Sequence, residues 1–279
     1  MRLKLACADY TFPILPHDQV LQIISMLGLK GVNIALFEDR SHLQPSTEFA
    51  NVRRSAKKLK KRLDDNELVA ADIFLQLALD LKSRAINHPR TQVRRKAREA
   101  FLQALDYAAE CGSKHLTGLP GVLYEGESRR DCVARAHDEL AWRLERAREH
   151  RIVFAIEPHI GSFSDTPLRT ARLIRDVPGL TLSLDFSHFY PRGFAEDQME
   201  DLIQHATHFH ARAANRTNPQ ATFPENTLDW KRIFKTMKRT GYSGWIEFEY
   251  CWWPETTAVD NISETVRGRD YFRTLLKDL

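Results

Sequence analysis

The chain has 279 residues, of which 43% are hydrophobic and 28% are charged, as expected for a folded globular protein rather than a disordered one. Its 41 basic and 37 acidic residues leave a net charge of +4, an excess too small and too dispersed to indicate a nucleic-acid-binding protein. The four cysteines form no CxxC pair, which favours free, reduced thiols in a cytoplasmic protein, and no apolar run is long enough to predict a membrane span.

Short apolar runs alternate with longer stretches of helical periodicity along the whole chain, which is typical of repeated β-strand and α-helix units. The predicted strands are 3–8, 31–36, 68–74, 115–118, 152–157, 180–185, 205–210 and 245–250. Eight such units in one uninterrupted domain, residues 1–279, predict a single closed (β/α)8 barrel, the TIM barrel. The alternative is a doubly wound open sheet, which usually has a GxGxxG motif after its first strand, where this chain reads CADYTFP.

The segments between the strands carry apolar residues at three- and four-residue steps, as amphipathic helices do. The clearest predicted helices are 49–63, 93–108, 131–150 and 228–240. The last of these ends at Gly241, a common helix stop signal. The basic runs RRSAKKLKKR and RRKAR lie on the polar faces of the first two helices, so we interpret them as solvated surface.

The polar residues of the last four strands share one side of each strand. In LTLSLDF, two leucines alternate with Ser183 and Asp185, so that in a barrel the leucines face the helices and the polar pair faces inward. The inward residues late in strands five to eight are Glu157, Asp185, His210 and Glu249. Their separations of 28, 25 and 39 residues are each close to one βα unit of about 30 residues, and active sites of this fold lie at these strand ends. We therefore expect the four side chains to converge.

Three carboxylates this close together would repel one another unless a cation lay between them. Three oxygen ligands and one imidazole suit a divalent ion, for which Mn²⁺ is the first expectation, with Mg²⁺, Co²⁺ or Zn²⁺ as alternatives. The competing interpretation is that these are inward polar residues satisfied by salt bridges inside the barrel. That explanation is simpler for any one of the residues than for all four together.

Four sequence strings carry a family resemblance. EPHIGSFSDTP, LDFSHF, HFHAR and GYSGWIEFEY resemble the sugar phosphate isomerase/epimerase family, which has a xylose-isomerase-like barrel and includes ketose 3-epimerases, hydroxypyruvate isomerases and inosose dehydratases. The resemblance begins at LKLACADYTF and is strongest over residues 150–250. It implies that Glu157, Asp185, His210 and Glu249 bind one divalent metal, and that His188, three residues after the aspartate, binds substrate. Many members have HxKD in strand seven where this chain has HARA, so the resemblance does not name a particular sugar.

The resemblance also implies an activity. The expected protein is a metal-dependent isomerase or epimerase that acts on a small sugar, keto-sugar or sugar derivative by removing a proton next to a carbonyl, through an enediolate held by the metal. Glu157 and Glu249 are the expected catalytic groups, serving opposite faces of the substrate. A lyase or dehydratase, with or without a partner subunit, is the alternative, and an AP endonuclease is a weaker one because it needs more metal ligands. We expect a homodimer or homotetramer with no nucleic-acid or membrane partner.

Further residues are candidates for substrate contact. His159 follows Glu157 by two residues and so keeps the inward parity, which suits either substrate binding or support of the metal ligands. Arg212, Arg216 and Gln220 follow strand seven, where they could hold a phosphate or carboxylate. Solvation at the surface is an equal alternative for the arginines.

Three ring-bearing residues near the expected site have less specific roles. His208 has the parity of the metal-binding histidine but lies deeper in its strand, so we interpret it as an imidazole facing the core. Trp252 and Trp253 follow the last strand, where they could form an apolar wall for a sugar ring or a subunit contact.

Overall fold

The computed structural model describes residues 4–251 and 259–277. Eight parallel strands pair in chain order and close into a barrel. The strands are β1 Lys4–Ala8, β2 Gly31–Phe37, β3 Val69–Gln76, β4 His115–Gly118, β5 Val153–Ile156, β6 Thr181–Asp185, β7 Ala206–Ala211 and β8 Trp245–Phe248. The pairing of β1 with β8 closes the barrel. This confirms the predicted TIM barrel and excludes the doubly wound open sheet.

Helices connect the successive strands on the outside of the barrel. They are α1 His17–Met26, α2 Pro45–Glu48, α3 Val52–Asp65, α4 Thr91–Cys111, α5 Arg129–Glu149, α6 Pro167–Asp176, α7 Glu196–Glu200, α8 Trp230–Thr240 and α9 Asn261–Lys277. The sequence signals at the ends of α8 explain its bounds, since Asp229 accepts a hydrogen bond from the amide of Arg232 and Gly241 adopts a positive φ of 72°. Both are usual helix-capping arrangements.

Two strands end earlier than the sequence predicts, and both differences concern site residues. β5 ends at Ile156 and β8 ends at Phe248, so Glu157 and Glu249 are the first residues of the loops that follow. Their amides still donate to the neighbouring strands, Glu157 to the carbonyl of Gly118 at 3.0 Å and Glu249 to that of Ala211 at 3.1 Å. The backbone of both residues therefore continues the strand pairing at the C-terminal mouth of the barrel.

The barrel interior is polar, unlike the branched aliphatic interior that is usual for this fold. The outward residues of each strand pack with the helices in one hydrophobic core. Inside, the buried polar residues are Asn33, Asp72, His115, Thr117, Ser183, His208 and Glu247. They are joined by short contacts, such as Thr117 Oγ1 to Ser183 Oγ at 2.5 Å and His115 Nδ1 to Asp72 Oδ1 at 2.7 Å. Hydrogen bonds of this kind are what make buried polar groups tolerable.

Two compositional expectations can be compared with the structure. The four cysteines are all unpaired, as predicted. Within residues 4–251 and 259–277, no helix combines the length and apolar character that crossing a membrane requires.

Candidate active site

A cavity of about 320 Å³ opens at the C-terminal mouth of the barrel. One wall is aromatic and comes from the ends of β1, β2 and β3. It consists of Tyr10, Phe37 and Phe74, with ring centroids 5.1 Å apart for the first pair and 4.9 Å apart for the second. The opposite wall carries ionisable groups from the ends of β5 to β8, among them Glu157 and Glu249. The cavity thus has an aromatic side, which Arg40 borders with its guanidinium 5.4 Å from the centre of the Phe37 ring, and a side rich in carboxylates and imidazoles.

Three of the four predicted metal ligands form one cluster on the charged side. His210 Nδ1 lies 2.7 Å from Glu157 Oε1 and 3.5 Å from Glu249 Oε2. One ligand atom from each of the three residues lies within 4.8 Å of the others. Glu249 Oε2 is buried and has no hydrogen-bond partner among the described residues. Two carboxylates and an imidazole with an unsatisfied oxygen fit a divalent cation.

The fourth predicted ligand, Asp185, is held elsewhere. Its Oδ2 accepts from Arg212 Nη2 at 2.6 Å and from the hydroxyl of Ser187 at 2.8 Å, and its Oδ1 accepts from the amide of Ser187 at 2.7 Å. Arg212 is itself buried, and its Nη2 lies 3.7 Å from Glu249 Oε2. The guanidinium thus neutralises Asp185 and borders the cluster, so that the structure brings Arg212 into the site.

The central carboxylate and imidazole hold opposite charges. Burial raises the pKa of Glu157, but the charges and hydrogen bonds of His188 and His210 outweigh it and lower that pKa well below its usual range. Burial lowers the pKa of His210, but the charges of Glu247, Glu249 and Glu157 outweigh it and raise that pKa well above its usual range. The raised pKa favours the imidazolium form of His210, which supplies positive charge to this cluster, and a metal ion bound there would have to replace its proton.

Glu249 has the opposite tendency to Glu157. Burial raises its pKa above the usual glutamate range, and this effect is opposed but not cancelled by the positive charges of His210 and Arg212. The two carboxylates of one cavity thus have pKa values displaced in opposite directions. Such a pair is characteristic of sites that transfer protons.

The two candidate substrate histidines lie side by side with different charges. The rings of His159 and His188 are 4.3 Å apart. His188 Nε2 lies 3.5 Å from Glu157 Oε1 and 3.7 Å from Asp185 Oδ2, and these two carboxylates raise its pKa despite its burial. Burial and the neighbouring His188 charge lower the pKa of His159 to about 4. The pKa values of the two neighbouring imidazoles are therefore displaced in opposite directions.

The remaining predicted residues after strand seven are only partly in the cavity. Arg216 donates to the carbonyls of Tyr190 and Phe194 at 3.2 and 2.8 Å, and its guanidinium lies 3.8 Å from the centre of the Tyr190 ring. It is not among the residues that line the cavity. Gln220 lines the cavity, but its amide bonds both the backbone NH and the carbonyl of Cys251, an arrangement that fixes the loop.

The less specific ring-bearing residues can also be located. His208 is fully buried inside the barrel, with Nε2 at 2.6 Å from Glu247 Oε2, which agrees with its interpretation as a core-facing imidazole. The predictions for Trp252 and Trp253 lie outside the described residues.

Two residues near the cluster were not singled out from the sequence. Tyr10 donates its hydroxyl proton to Glu249 Oε1 at 2.5 Å. Glu247 lies beneath the cluster, 3.6 Å from His210 Nε2. The sequence signal that could have identified them is the two-residue alternation of inward side chains. Glu247 precedes Glu249 by two residues, and Tyr10 follows the inward Ala8 by two.

The fold and the site together define a TIM-barrel protein with a carboxylate and histidine cluster at the catalytic end of the barrel. The chain belongs to the xylose isomerase-like TIM barrel family, whose family model matches residues 21–274. This confirms the predicted resemblance.

Two named relatives and a solved structure are similar to this chain. It is 26% identical over 169 residues to a Drosophila melanogaster protein named "Putative hydroxypyruvate isomerase", covering 57% of this chain and 61% of that protein. It is 24% identical over 198 residues to the L-ribulose-5-phosphate 3-epimerase of Shigella sonnei, covering 65% of this chain and 64% of that enzyme. Both alignments thus span less than two thirds of the relatives. The crystal structure of D-psicose 3-epimerase in the presence of D-fructose matches with a TM-score of 0.78 at 15% identity, covering 98% of this chain and 99% of that one.

Proposed function

We propose that the protein is a metal-dependent isomerase or epimerase of a small sugar, keto-sugar or sugar derivative, which moves a proton at a carbon next to a carbonyl. The observation that supports this best is that Glu157 and Glu249 both line one cavity of about 320 Å³ and both approach Nδ1 of His210, at 2.7 and 3.5 Å. The names of the two relatives, an isomerase and an epimerase of small carbohydrates, agree with this class of reaction.

The proposed metal ligands are Glu157, His210 and Glu249. Asp185 is the proposed fourth ligand, and it would have to give up its ion pair with Arg212 to bind the metal. Mn²⁺ is the ion we propose first, with Mg²⁺, Co²⁺ and Zn²⁺ as alternatives that the same donors accept. A divalent ion bound there supplies positive charge that stabilises the negative oxygen formed when a carbon next to a carbonyl loses its proton.

The two glutamates are the proposed proton carriers. Glu157 is ionised at neutral pH because His188 and His210 lower its pKa, so it is ready to accept a proton. The raised pKa of Glu249 brings it closer to neutral pH, where a general acid or base is most effective. Tyr10 fixes the Glu249 carboxyl through the hydroxyl contact at 2.5 Å, which orients the oxygen that faces the cavity.

The proposed substrate contacts come from three side chains that line the cavity, namely His159, His188 and Arg212. His188 is the proposed donor to a substrate oxygen because its raised pKa keeps it protonated. The aromatic wall of Tyr10 and Phe37 excludes water from the other side. Arg216 is left out of the proposal because its guanidinium is bonded to backbone carbonyls away from the cavity.

Proton exchange in D₂O tests the proposal. Ketoses, keto-inositols and their phosphates are incubated with metal-loaded protein, and the C–H signals are followed by NMR. We expect exchange next to a carbonyl, lost in Glu249→Gln and retained in the matched control Glu67→Gln, whose side chain is 82% exposed. His188→Ala should raise the KM for the substrate by a larger factor than it raises the Kd for the metal.

The position of the deuterium distinguishes the possible reactions. Deuterium at an inverted carbon identifies an epimerase, deuterium at a carbon newly adjacent to the carbonyl identifies an isomerase, and loss of water identifies a dehydratase. A folded, metal-loaded protein that exchanges no compound of the panel would contradict a stand-alone sugar isomerase. A lyase that needs a partner subunit would then replace it as the leading hypothesis.

The assembly and location of the protein stay predictions. We propose a homo-oligomer, dimer or tetramer, in the cytoplasm, which binds a small carbohydrate rather than nucleic acid. Sedimentation analysis of the purified protein tests the first of these, and a single monomeric species would contradict it.

A further inference from the structure

His210 is contacted by carboxylates at both of its ring nitrogens. Nδ1 faces Glu157 Oε1 at 2.7 Å and Glu249 Oε2 at 3.5 Å. Nε2 faces the barrel interior, where Glu247 Oε2 lies 3.6 Å away. Nε2 is buried and has no hydrogen-bond partner among the described residues. Glu247 and His210 are direct neighbours in the pairing of β7 with β8, so the fold itself sets this approach.

The chemistry of a neutral imidazole makes the two contacts compete. Such a ring carries one proton and one lone pair, so the carboxylate that takes the N–H decides which nitrogen can bind a metal. If Glu157 takes the proton at Nδ1, the lone pair points away from the cavity. If Glu247 takes it at Nε2, the lone pair at Nδ1 points between Glu157 and Glu249.

We propose that Glu247 is a positioning residue that holds the proton of His210 on Nε2 and so directs the Nδ1 lone pair at the metal. A carboxylate that accepts the second N–H of a metal-binding histidine commonly fixes ring and tautomer in this way. The inference rests on the metal site of the proposed function. It assigns a role to a residue that contacts neither the cavity nor the expected substrate.

The surroundings of Glu247 suit this role. Its Oε2 accepts from Asn33 Nδ2 on β2 at 2.7 Å and lies 2.6 Å from His208 Nε2 on β7. The side chain of Glu247 is completely buried. Two contacts from different strands therefore hold one oxygen in place below the His210 ring.

A second metal inside the barrel is the alternative to be distinguished. Ligand atoms of Asp72, His208 and His210 also lie within 4.8 Å of one another. A metal there would take the lone pair of His210 Nε2, which a proton on Nε2 does not leave free. The two interpretations therefore exclude each other for a neutral His210.

The experiment compares the wild-type protein with Glu247→Gln and with the control Ser183→Ala. Ser183 lies in the same interior, and its hydroxyl contacts Thr117 at 2.5 Å. Mn²⁺ affinity is measured by chelator competition, and ¹⁵N-histidine NMR of the Zn²⁺-loaded protein reports the Nε2–H of His210. We expect Glu247→Gln to bind Mn²⁺ about 10- to 100-fold more weakly and to lose or displace the Nε2–H signal. Ser183→Ala should retain both properties.

Each other outcome overturns the inference. Unchanged affinity in folded Glu247→Gln refutes it, and so does an equal loss in Ser183→Ala, which would indicate a general effect of disturbing the interior. Two bound ions, one of them lost in Asp72→Asn, would favour the second metal. If Glu247→Gln does not fold, Asn33→Ala replaces it, because that change removes one hydrogen-bond donor to Glu247. The Mn²⁺ affinity and the Nε2–H signal of His210 are then judged in the same way. A wild-type protein that binds metal but exchanges no sugar proton contradicts the proposed function alone.

Discussion

Removing one hydroxyl tests the electrostatics of the candidate site without altering any proposed metal ligand. In Tyr10→Phe, Glu249 Oε1 loses the donor that lies at 2.5 Å, and Oε2 already has no partner among the described residues. A hydrogen bond to a charged group contributes about 1.5–3 kcal/mol, whereas one between neutral groups contributes about 0.5–1.5 kcal/mol. We therefore expect Tyr10→Phe to lower the free energy of unfolding, measured without metal, by about 1.5–3 kcal/mol when Glu249 is ionised. When Glu249 is protonated, the expected loss is about 0.5–1.5 kcal/mol.

The sign of the pH dependence follows from the pKa of Glu249, which burial already raises. Losing the donor raises that pKa further. A carboxyl group with a raised native pKa costs the native state stability as pH rises above the unfolded value. The deficit of Tyr10→Phe should therefore be larger at about pH 8 than at about pH 5, both of which lie above the unfolded pKa of about 4.3.

Urea denaturation at both pH values measures this deficit as a shift of the midpoint at constant m-value. Tyr271→Phe is the matched control because this tyrosine is 41% exposed, and its hydroxyl has no hydrogen bond to a carboxylate within residues 4–251 and 259–277. Equal deficits at the two pH values, or none at all, would refute the reasoning that the Tyr10 hydroxyl stabilises an ionised Glu249.

Further predictions concern the metal, the buried ion pair and nucleic acid. The purified protein should bind about one divalent ion, and Mn²⁺ at about 100 times its Kd should raise the free energy of unfolding by about 2.7 kcal/mol, measured by thermal denaturation and lost in His210→Ala. Calorimetry should show Mn²⁺ affinity falling at acid pH, because the pKa of His210 is raised and its proton competes with the ion. Arg212→Met should cost about 3–5 kcal/mol in urea denaturation, since it leaves Asp185 buried without its cation, with partial recovery in Arg212→Lys. Abasic duplex DNA should not be incised, and incision that Glu249→Gln abolishes would contradict this.

The parts of the site that follow from strand periodicity could be predicted from the sequence. Alternation over two residues assigned Asp185 and His210 to the inside of the barrel, and the βα spacing placed them on neighbouring strands. The described strands have this arrangement, with Asp185 opposite His210 in the pairing of β6 with β7. The same alternation also places Glu247 on the inside of the barrel. It does not show which of the inward side chains contact one another.

The ion pairs of the site depend on side-chain direction, which a single sequence does not specify. Arg212 and Arg216 are equivalent as sequence signals, yet the first turns inward to Asp185 and the second turns away to the backbone carbonyl of Tyr190. The difference arises because Arg212 continues the inward alternation of β7 beyond His210, whereas Arg216 lies in the irregular loop that follows. The sequence likewise gives no indication that Asp185 pairs with the guanidinium of Arg212.

The polar interior also bears on how the barrel closes. Three of its contacts join strands that are not neighbours: Asn33 on β2 with Glu247 on β8, Thr117 on β4 with Ser183 on β6, and His115 on β4 with Thr207 on β7. A strand that slipped by two residues during folding would keep its leucines and phenylalanines on the outside, so hydrophobic burial alone would tolerate the error. The same slip would move its polar residues by about 7 Å along the strand direction and leave several buried groups without partners. Hydrogen bonds that cross the barrel thus select one register out of those that the apolar pattern permits, and the C-terminal mouth with its carboxylate and histidine cluster forms only when all eight strands are in that register.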